Sequence, residues 1–357
     1  MPSSDQVANS VLIGAIAAVF LLGGAAAAAK ANSKSKTNTK SVYFKDFEKE
    51  LPSLSGRIVA ITGCTSGTGL VAAKTCVRKN AAVVLLLNRP SERATQAEAE
   101  IKTEIIPISK TIVETIPCDL QSFESVQAAA DMIKSKYGAQ GIDILCCNAG
   151  IMAVEDAATK DGYDVQMQTN HLSHFLLVKE LFGLVKIAQK KRGDARIVHH
   201  SSLARHGPAL DAKYFQKEGG NLGGNAFGKW QRYHHSKLAN AVMTTALAQK
   251  LGTTGIKATC AAPGYASTHL QTSSTGMPGM AWTRHFFAQS AADGTMPLLS
   301  ACLDKTAQNG DFYEPSCRFR TVGPPAKFEL EAVCQDEASQ KMLWEESEKA
   351  CGRFTVE

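Results

Sequence analysis

The chain has 357 residues, 44% of them hydrophobic and 20% charged, with a formal net charge of +6. That length holds one large domain or two small ones, and the composition is that of an ordinary globular protein. The lysines and arginines are scattered and not interleaved with aromatics, which gives no nucleic-acid footprint. The ten cysteines form no Cys-x-x-Cys pair and no Cys/His spacing suited to zinc, so no metal site is expected and a reducing compartment is.

Residues 1–10 form a short polar tail. Residues 11–29, VLIGAIAAVFLLGGAAAAA, carry no charge and approach the roughly 20 residues that a helix needs to cross a bilayer. Asp5 precedes them, and Lys30, Lys34, Lys36 and Lys40 follow. That asymmetry places the C-terminal side in the cytosol. A cleaved signal peptide is the rival reading, but the positive region it needs before the apolar run is missing. An organellar presequence is a further rival. Residues 30–55 are polar and read as a linker, leaving 56–357 as the folded domain.

From Gly56 onward, short apolar runs alternate with helical patterns. Strands are expected at 57–62, 81–87, 111–117, 142–147, 195–201 and 256–262. Helices are expected at 67–79, 91–104, 122–137, 163–189 and 233–250. Runs such as RIVAIT and AAVVLLL suit strands buried on both faces. The alternation implies an α/β fold, a single doubly wound domain around a parallel sheet of about seven strands. Ligands in that architecture sit at the carboxyl ends of the strands, where strand order reverses.

The chemistry-bearing residues fall at those ends. TGCTSGTG (62–69) follows the first strand. Its glycines 63, 67 and 69 permit a tight turn and close approach to a diphosphate, and the next helix offers free N–H groups to it. CNAG (147–150) follows the fourth strand, HHSS (199–202) the fifth and APGYAST (262–268) the sixth. In WQRYHHSKLANAV, Tyr233 and Lys237 stand four apart, on one helix face a turn from each other.

These pieces, with QTNHLSHFLL (168–177), resemble the classical short-chain dehydrogenase/reductase family, in the family's order and over residues 56–357. NAGIM, NHLSHFLL, YHHSKLAN and LWEESEKACG are most similar to its retinol-dehydrogenase-like branch, as are GDFYEP and VGPP. Members of that branch often carry an N-terminal membrane anchor. The resemblance implies hydride transfer between a nicotinamide cofactor and a carbonyl or alcohol. It assigns Tyr233 as proton donor, with a phenol whose usual pKa near 10 would be lowered by Lys237 and the oxidised cofactor. Ser202, with Ser201 as fallback, would hold the substrate oxygen. Asn170 would hold a water beside Lys237.

Carried over residue by residue, the cofactor set is Thr62, Gly63, Ser66, Gly67, Thr68 and Gly69 in the first turn. It continues with Asn88 and Arg89 in LLLNRP, Asp119 and Leu120 in PCDL, and Asn148, Ala149 and Gly150 in CNAG. Tyr233, Lys237, Pro263, Gly264 and Thr268 complete it. An acidic side chain after the second strand favours NAD; here Asn88 and Arg89 stand in its place, so NADP(H) is expected.

The substrate is expected to be a lipophilic small molecule, with retinoid-like or fatty aldehydes, sterols and isoprenoids as candidates. The membrane expected is the endoplasmic reticulum, with a plastid as the alternative, and both monomer and homodimer remain open. Two other functions are weighed: a double-bond reductase similar to protochlorophyllide reductases, and a non-catalytic NADP(H)-binding adaptor. Met277, Met280, Trp282, Phe286 and Phe287 read equally as an apolar cover for a greasy substrate, as packing or as membrane contact.

Overall fold

A computed structural model describes residues 40–107, 109–266 and 288–356. Consecutive residues of its first strand, β1 (Ile58–Thr62), separate the core into two layers: Ile58 and Ala60 face one, Val59 and Ile61 the other. Every residue of β1, of β2 (Val83–Asn88), of β4 (Ile144–Cys147) and of β5 (Ala195–His200) is buried. That is why these strands read as continuous apolar runs.

The other strands are β3 (Ile112–Pro117), β6 (Ile256–Ala261), β7 (Phe312–Cys317) and β8 (Val322–Phe328). They build one eight-stranded sheet of order β3-β2-β1-β4-β5-β6-β7-β8, in which all pairs are parallel except β7 with β8. Strand order reverses between β1 and β4, at the turns that carry TGCTSGTG and CNAG. The sheet therefore has one strand more than expected, and that strand runs antiparallel along the edge.

One face is covered by α1 (Phe44–Glu50), α2 (Gly67–Arg78) and, later in the chain, α8 (Ala291–Leu303); α3 (Glu92–Lys102) flanks α2. The opposite face is covered by α4 (Phe123–Tyr137), α6 (Ser173–Arg192), α7 (Ala226–Leu251), α9 (Ala332–Gln335) and α10 (Glu337–Cys351).

Three expectations are corrected. The helix expected over 163–189 is built in pieces: a single turn α5 (Val165–Met167), a π turn Gln168–Leu172, then α6. Asp164 starts it by accepting from the N–H groups of Gln166 and Met167 at 3.1 and 2.9 Å. The helix expected from 233 begins earlier, at Ala226, because Asn225 caps it through Gly228 N–H at 2.7 Å. The linker expected over 30–55 is part of the domain from Ser41: the Asp293 carboxylate accepts from Ser41 Oγ and from the N–H groups of Val42, Tyr43 and Phe44. Phe44, Leu51 and Leu54 are buried against α2 and α8.

Among the described residues no helix is long and apolar enough to cross a membrane. The span expected at 11–29 lies outside them, as do Thr268 and the apolar residues from Met277 to Phe287.

Candidate active site

The turn after β1 is shaped for close backbone approach. Gly63 has φ +74°, and a Cβ there would stand 2.8 Å from Ala149 Cβ. A Cβ on Gly69 would meet the Gly63 carbonyl oxygen at 2.1 Å, so α2 begins hard against the turn. Ser66 precedes α2 without capping it through its side chain, which leaves the helix start for an anion. Thr68 donates to Asn148 Oδ1 at 2.9 Å, and Gly67 has φ +58°.

Asn148 ties four elements together. Its Nδ2 donates to the Thr62 carbonyl at 2.8 Å, and its Oδ1 lies 2.9 Å from His200 Nδ1 at the end of β5. Thr62 Oγ1 in turn accepts from the N–H groups of Asn148 and Ala149 at 3.0 and 2.9 Å, and lies 2.9 Å from His174 Nε2 on α6. Thr62, Thr68 and Asn148 thus fix the two central turns to each other.

Asn88 accepts from Cys64 N–H at 2.7 Å, while its buried Nδ2 has no partner among the described residues. Arg89 follows, exposed and in no ion pair among the described residues. Asp119 shapes its loop: its carboxylate accepts from Gln121 N–H at 3.0 Å, and its own N–H donates to Ser125 Oγ at 2.9 Å. The Leu120 carbonyl accepts from Ser173 Oγ at 2.6 Å. Cys64 is fully buried, and burial pushes its thiol up.

Tyr233 and Lys237 share one face of α7, both nearly buried, with Lys237 Nζ 6.0 Å from the Tyr233 ring centre. Burial pushes the Tyr233 phenol up to about 12, opposed by a hydrogen bond from the Ser202 side chain. The lowered phenol expected from the sequence is therefore not a property of the protein alone, where desolvation outweighs the Ser202 hydrogen bond. Lys237 is itself pulled down to about 8 by burial. It makes no ion pair among the described residues, and its Nζ donates to the His200 carbonyl at 3.1 Å.

Ser202 and not Ser201 lies beside the phenol. Ser201 Oγ is turned away and donates to the Lys237 carbonyl at 2.8 Å. Asn170 sits in the π turn, a distortion frequently found at functional sites. Its side chain is fully engaged: Nδ2 donates to the Ile151 carbonyl at 2.9 Å and to Ser236 Oγ at 2.8 Å, and Oδ1 accepts from Ile151 N–H at 2.8 Å. Asn170 Oδ1 and Lys237 Nζ converge on Gly150, where an added Cβ would stand 3.1 Å from each. The missing side chain at Gly150 keeps that space open.

At the end of β6, the Pro263 carbonyl accepts from Gln289 Nε2 at 2.8 Å. Gly264 has φ +64°, and a Cβ there would lie 2.3 Å from the Thr321 carbonyl oxygen, so only glycine fits against the β7–β8 hairpin.

Two residues were missed in the sequence. Ser236 passes the position of Asn170 on to α7, accepting from it and donating to the Tyr233 carbonyl at 2.8 Å. Arg205 is fully buried and uses all of its donors. It binds Glu314 through both terminal nitrogens and Glu331 through Nε and Nη2, and it donates to the Ser202 carbonyl at 3.1 Å. It thereby clamps the Ser202 turn to the edge hairpin. Its place in SSLAR was the only local signal, since both acids come more than a hundred residues later.

A diphosphate-sized turn at a bare helix start, an unpaired cation after β2, and a buried phenol beside a buried amine define a nicotinamide-dependent oxidoreductase of the Rossmann type. The model of the family described as short chain dehydrogenase matches residues 57–214. Human retinol dehydrogenase 11 is 31% identical over 253 residues, covering 70% of this chain and 74% of its own. An uncharacterized oxidoreductase of Schizosaccharomyces pombe is 35% identical over 235 residues, covering 65% and 66%. A solved structure of an uncharacterized protein from Mycobacterium paratuberculosis superposes with a TM-score of 0.66 at 29% identity, over 86% of this chain and 98% of that one. The chain belongs to the short-chain dehydrogenase/reductase family, with retinol-dehydrogenase-like relatives.

The site is framed by neutral histidines. Burial pulls His171, His199 and His200 down to about 3 and His174 to about 4. Each is hydrogen-bonded: His171 to Ser347, His174 to Thr62, His199 to Thr244 and His200 to Asn148. An unfolded histidine takes up its proton near pH 6.5, whereas these stay neutral to pH 4 or below. Stability is therefore present above pH 6.5 and lost as pH falls below it, by about 2 kcal/mol per fully buried histidine at pH 5. Together they offset much of a typical stability of about 5–15 kcal/mol. The urea midpoint should drop steeply between pH 7 and pH 5. A midpoint unchanged over that range would show that these imidazoles are not held neutral.

Proposed function

We propose that this chain is an NADP(H)-dependent, membrane-anchored oxidoreductase. It interconverts a carbonyl and an alcohol on a lipophilic substrate, from the cytosolic face of the endoplasmic reticulum. The observation that carries the reading is the protonated, buried phenol of Tyr233 beside Ser202, one helical turn from the unpaired Lys237. The reduced nicotinamide, when bound, supplies the hydride. The chain's own residues do the rest. Ser202 Oγ and the Tyr233 hydroxyl hold the carbonyl oxygen by hydrogen bonds. As negative charge develops on that oxygen, Tyr233 passes its proton to it. The phenolate left behind is stabilised by the Lys237 ammonium, which persists below about pH 8. Asn170 is fixed to Ile151 and Ser236 and borders, with Lys237, the space that Gly150 leaves open, through which solvent would return the proton to the phenolate.

Asn88 and Arg89, whose Nδ2 and guanidinium have no partner and no ion pair among the described residues, support a 2′-phosphate at the end of β2. The likeness to human retinol dehydrogenase 11 supports a lipophilic aldehyde or alcohol, with retinoid-like and long-chain aldehydes as the first to test. The uncharged stretch 11–29 supports the anchor, and its flanking lysines support the cytosolic side.

Tyr233→Phe should lower kcat for carbonyl reduction by at least about 10²–10⁴-fold while the NADPH dissociation constant changes less than severalfold. Turnover that survives the change would remove Tyr233 as proton donor; NADPH binding with no turnover by the unaltered protein on any carbonyl would favour the adaptor. Arg89→Asp should raise KM for NADPH by about tenfold or more, the value of a charge-assisted hydrogen bond, and leave KM for NADH equal or lower. An equal effect on both cofactors would place the 2′-phosphate elsewhere.

A further inference from the structure

The β7–β8 hairpin ends in Arg318, Phe319 and Arg320, three successive non-glycine residues with φ of 45°, 57° and 62°. Left-handed backbone at three such residues in a row is strained. The tip it supports leaves Phe319 82% exposed, with Arg318 exposed beside it. Arg320 is held back, stacked 4.2 Å over the Phe328 ring and 3.4 Å from Glu314. The tip thus offers water an aromatic ring and the Arg318 guanidinium, which is in no ion pair among the described residues.

Its position gives it meaning. β7 runs parallel to β6, so the tip lies at the carboxyl end of the sheet, beside the active site. The Thr321 carbonyl accepts from Tyr265 N–H at 2.7 Å, and Gly323 N–H donates to Gln289 Oε1 at 3.2 Å. Four residues past Gln289, Asp293 grips Ser41 to Phe44, so the chain coming from the uncharged stretch 11–29 enters the domain at this same end. Val42 (72% exposed) and Tyr43 stand at that entry, and Phe227 stands on the first turn of α7, ahead of Tyr233. Among the described residues, seven large apolar side chains are exposed, and these four share the carboxyl end. Of the others, Ile106 and Ile112 lie at the opposite end, before and at the start of β3, and Met132 lies within α4.

We propose that the Arg318-Phe319-Arg320 hairpin tip enters the headgroup region of an anionic bilayer, with Phe319 among the upper acyl chains and Arg318 on lipid phosphates, so that the active-site mouth faces the membrane. Exposed aromatic rings flanked by arginine are suited to that interface: the ring is apolar enough to enter, and the guanidinium reaches back to phosphate. The excess of basic residues in the chain complements anionic lipid. A lipophilic carbonyl compound dissolved in the bilayer then reaches the site without crossing water. The inference rests on the anchored reading for its orientation, but the contact at the tip is separate from the anchor.

The test uses the full chain in vesicles of phosphatidylcholine and phosphatidylserine. Cys317 is the only exposed thiol of the ten and sits two residues from Phe319, so it can carry an environment-sensitive fluorophore. The label should shift to the blue and be quenched by acyl-brominated lipid. Phe319→Ser and Arg318→Ser should each weaken the quenching, while a label placed on Asp131→Cys in α4 should not be quenched at all. Phe319→Ser should also raise KM severalfold for a long-chain aldehyde dissolved in the vesicles, with kcat and KM for a short water-soluble aldehyde unchanged. Protein that floats with the vesicles and resists carbonate, but whose Cys317 label is not quenched, keeps its anchor and overturns the proposal. Quenching with protein that carbonate removes overturns the anchor and supports the tip. No flotation and no quenching overturn both. A label that becomes shielded without lipid as protein concentration rises overturns the proposal in favour of a second copy of the chain.

Discussion

The arrangement of this protein turns on a lysine buried without an acid. Taking an ammonium out of water is costly unless something offsets it, and among the described residues the Lys237 ammonium donates to the His200 carbonyl and meets no carboxylate. The cost is visible as a pKa pulled down to about 8. A fold seeking stability alone would place a carboxylate there, as this one does elsewhere, giving Glu314 to Arg205 and Asp164 to Arg232. At Lys237 it leaves the charge uncompensated, next to a phenol that burial keeps protonated. Each group is held in a state that the other can relieve: a proton leaving Tyr233 creates the anion that Lys237 lacks.

Much of the surrounding structure serves to hold that pair in place. Asn148 and Thr62 lock the two central turns together at the point where strand order reverses. Gly150 withholds a side chain from the space where Asn170 and Lys237 meet. Arg205 fixes the Ser202 turn from behind, through Glu314 on β7 and Glu331 in the segment after β8. These contacts join residues far apart in the chain, so the site is rigid because the sheet is.

The sequence made the sheet's first six strands legible, because each is a short stretch built around apolar residues and set between helical patterns. Spacing also made Tyr233, Lys237 and the glycine turn legible, while Asn170 was reached through the resemblance to the family. The eighth strand was hidden by Pro324 and Pro325, which suit only an edge. Helix α1 was hidden because its polar sequence is held by Asp293, about 250 positions away. The short turn α5 and the early start of α7 depend on the caps Asp164 and Asn225, which look like ordinary loop residues until the structure places them. Arg205 could not be read as a clamp before Glu314 and Glu331 were seen beside it. The raised phenol of Tyr233 follows from burial, which no motif reports.

The claim most open to contradiction is that Lys237 loses its proton near pH 8 in the free protein. The pH dependence of kcat/KM for carbonyl reduction reports ionisations of the free enzyme. The account predicts a fall on the alkaline side with an apparent pKa near 8, as the ammonium that stabilises the phenolate disappears. A profile that stays flat through about pH 10, where an ordinary lysine would still be charged, would contradict it.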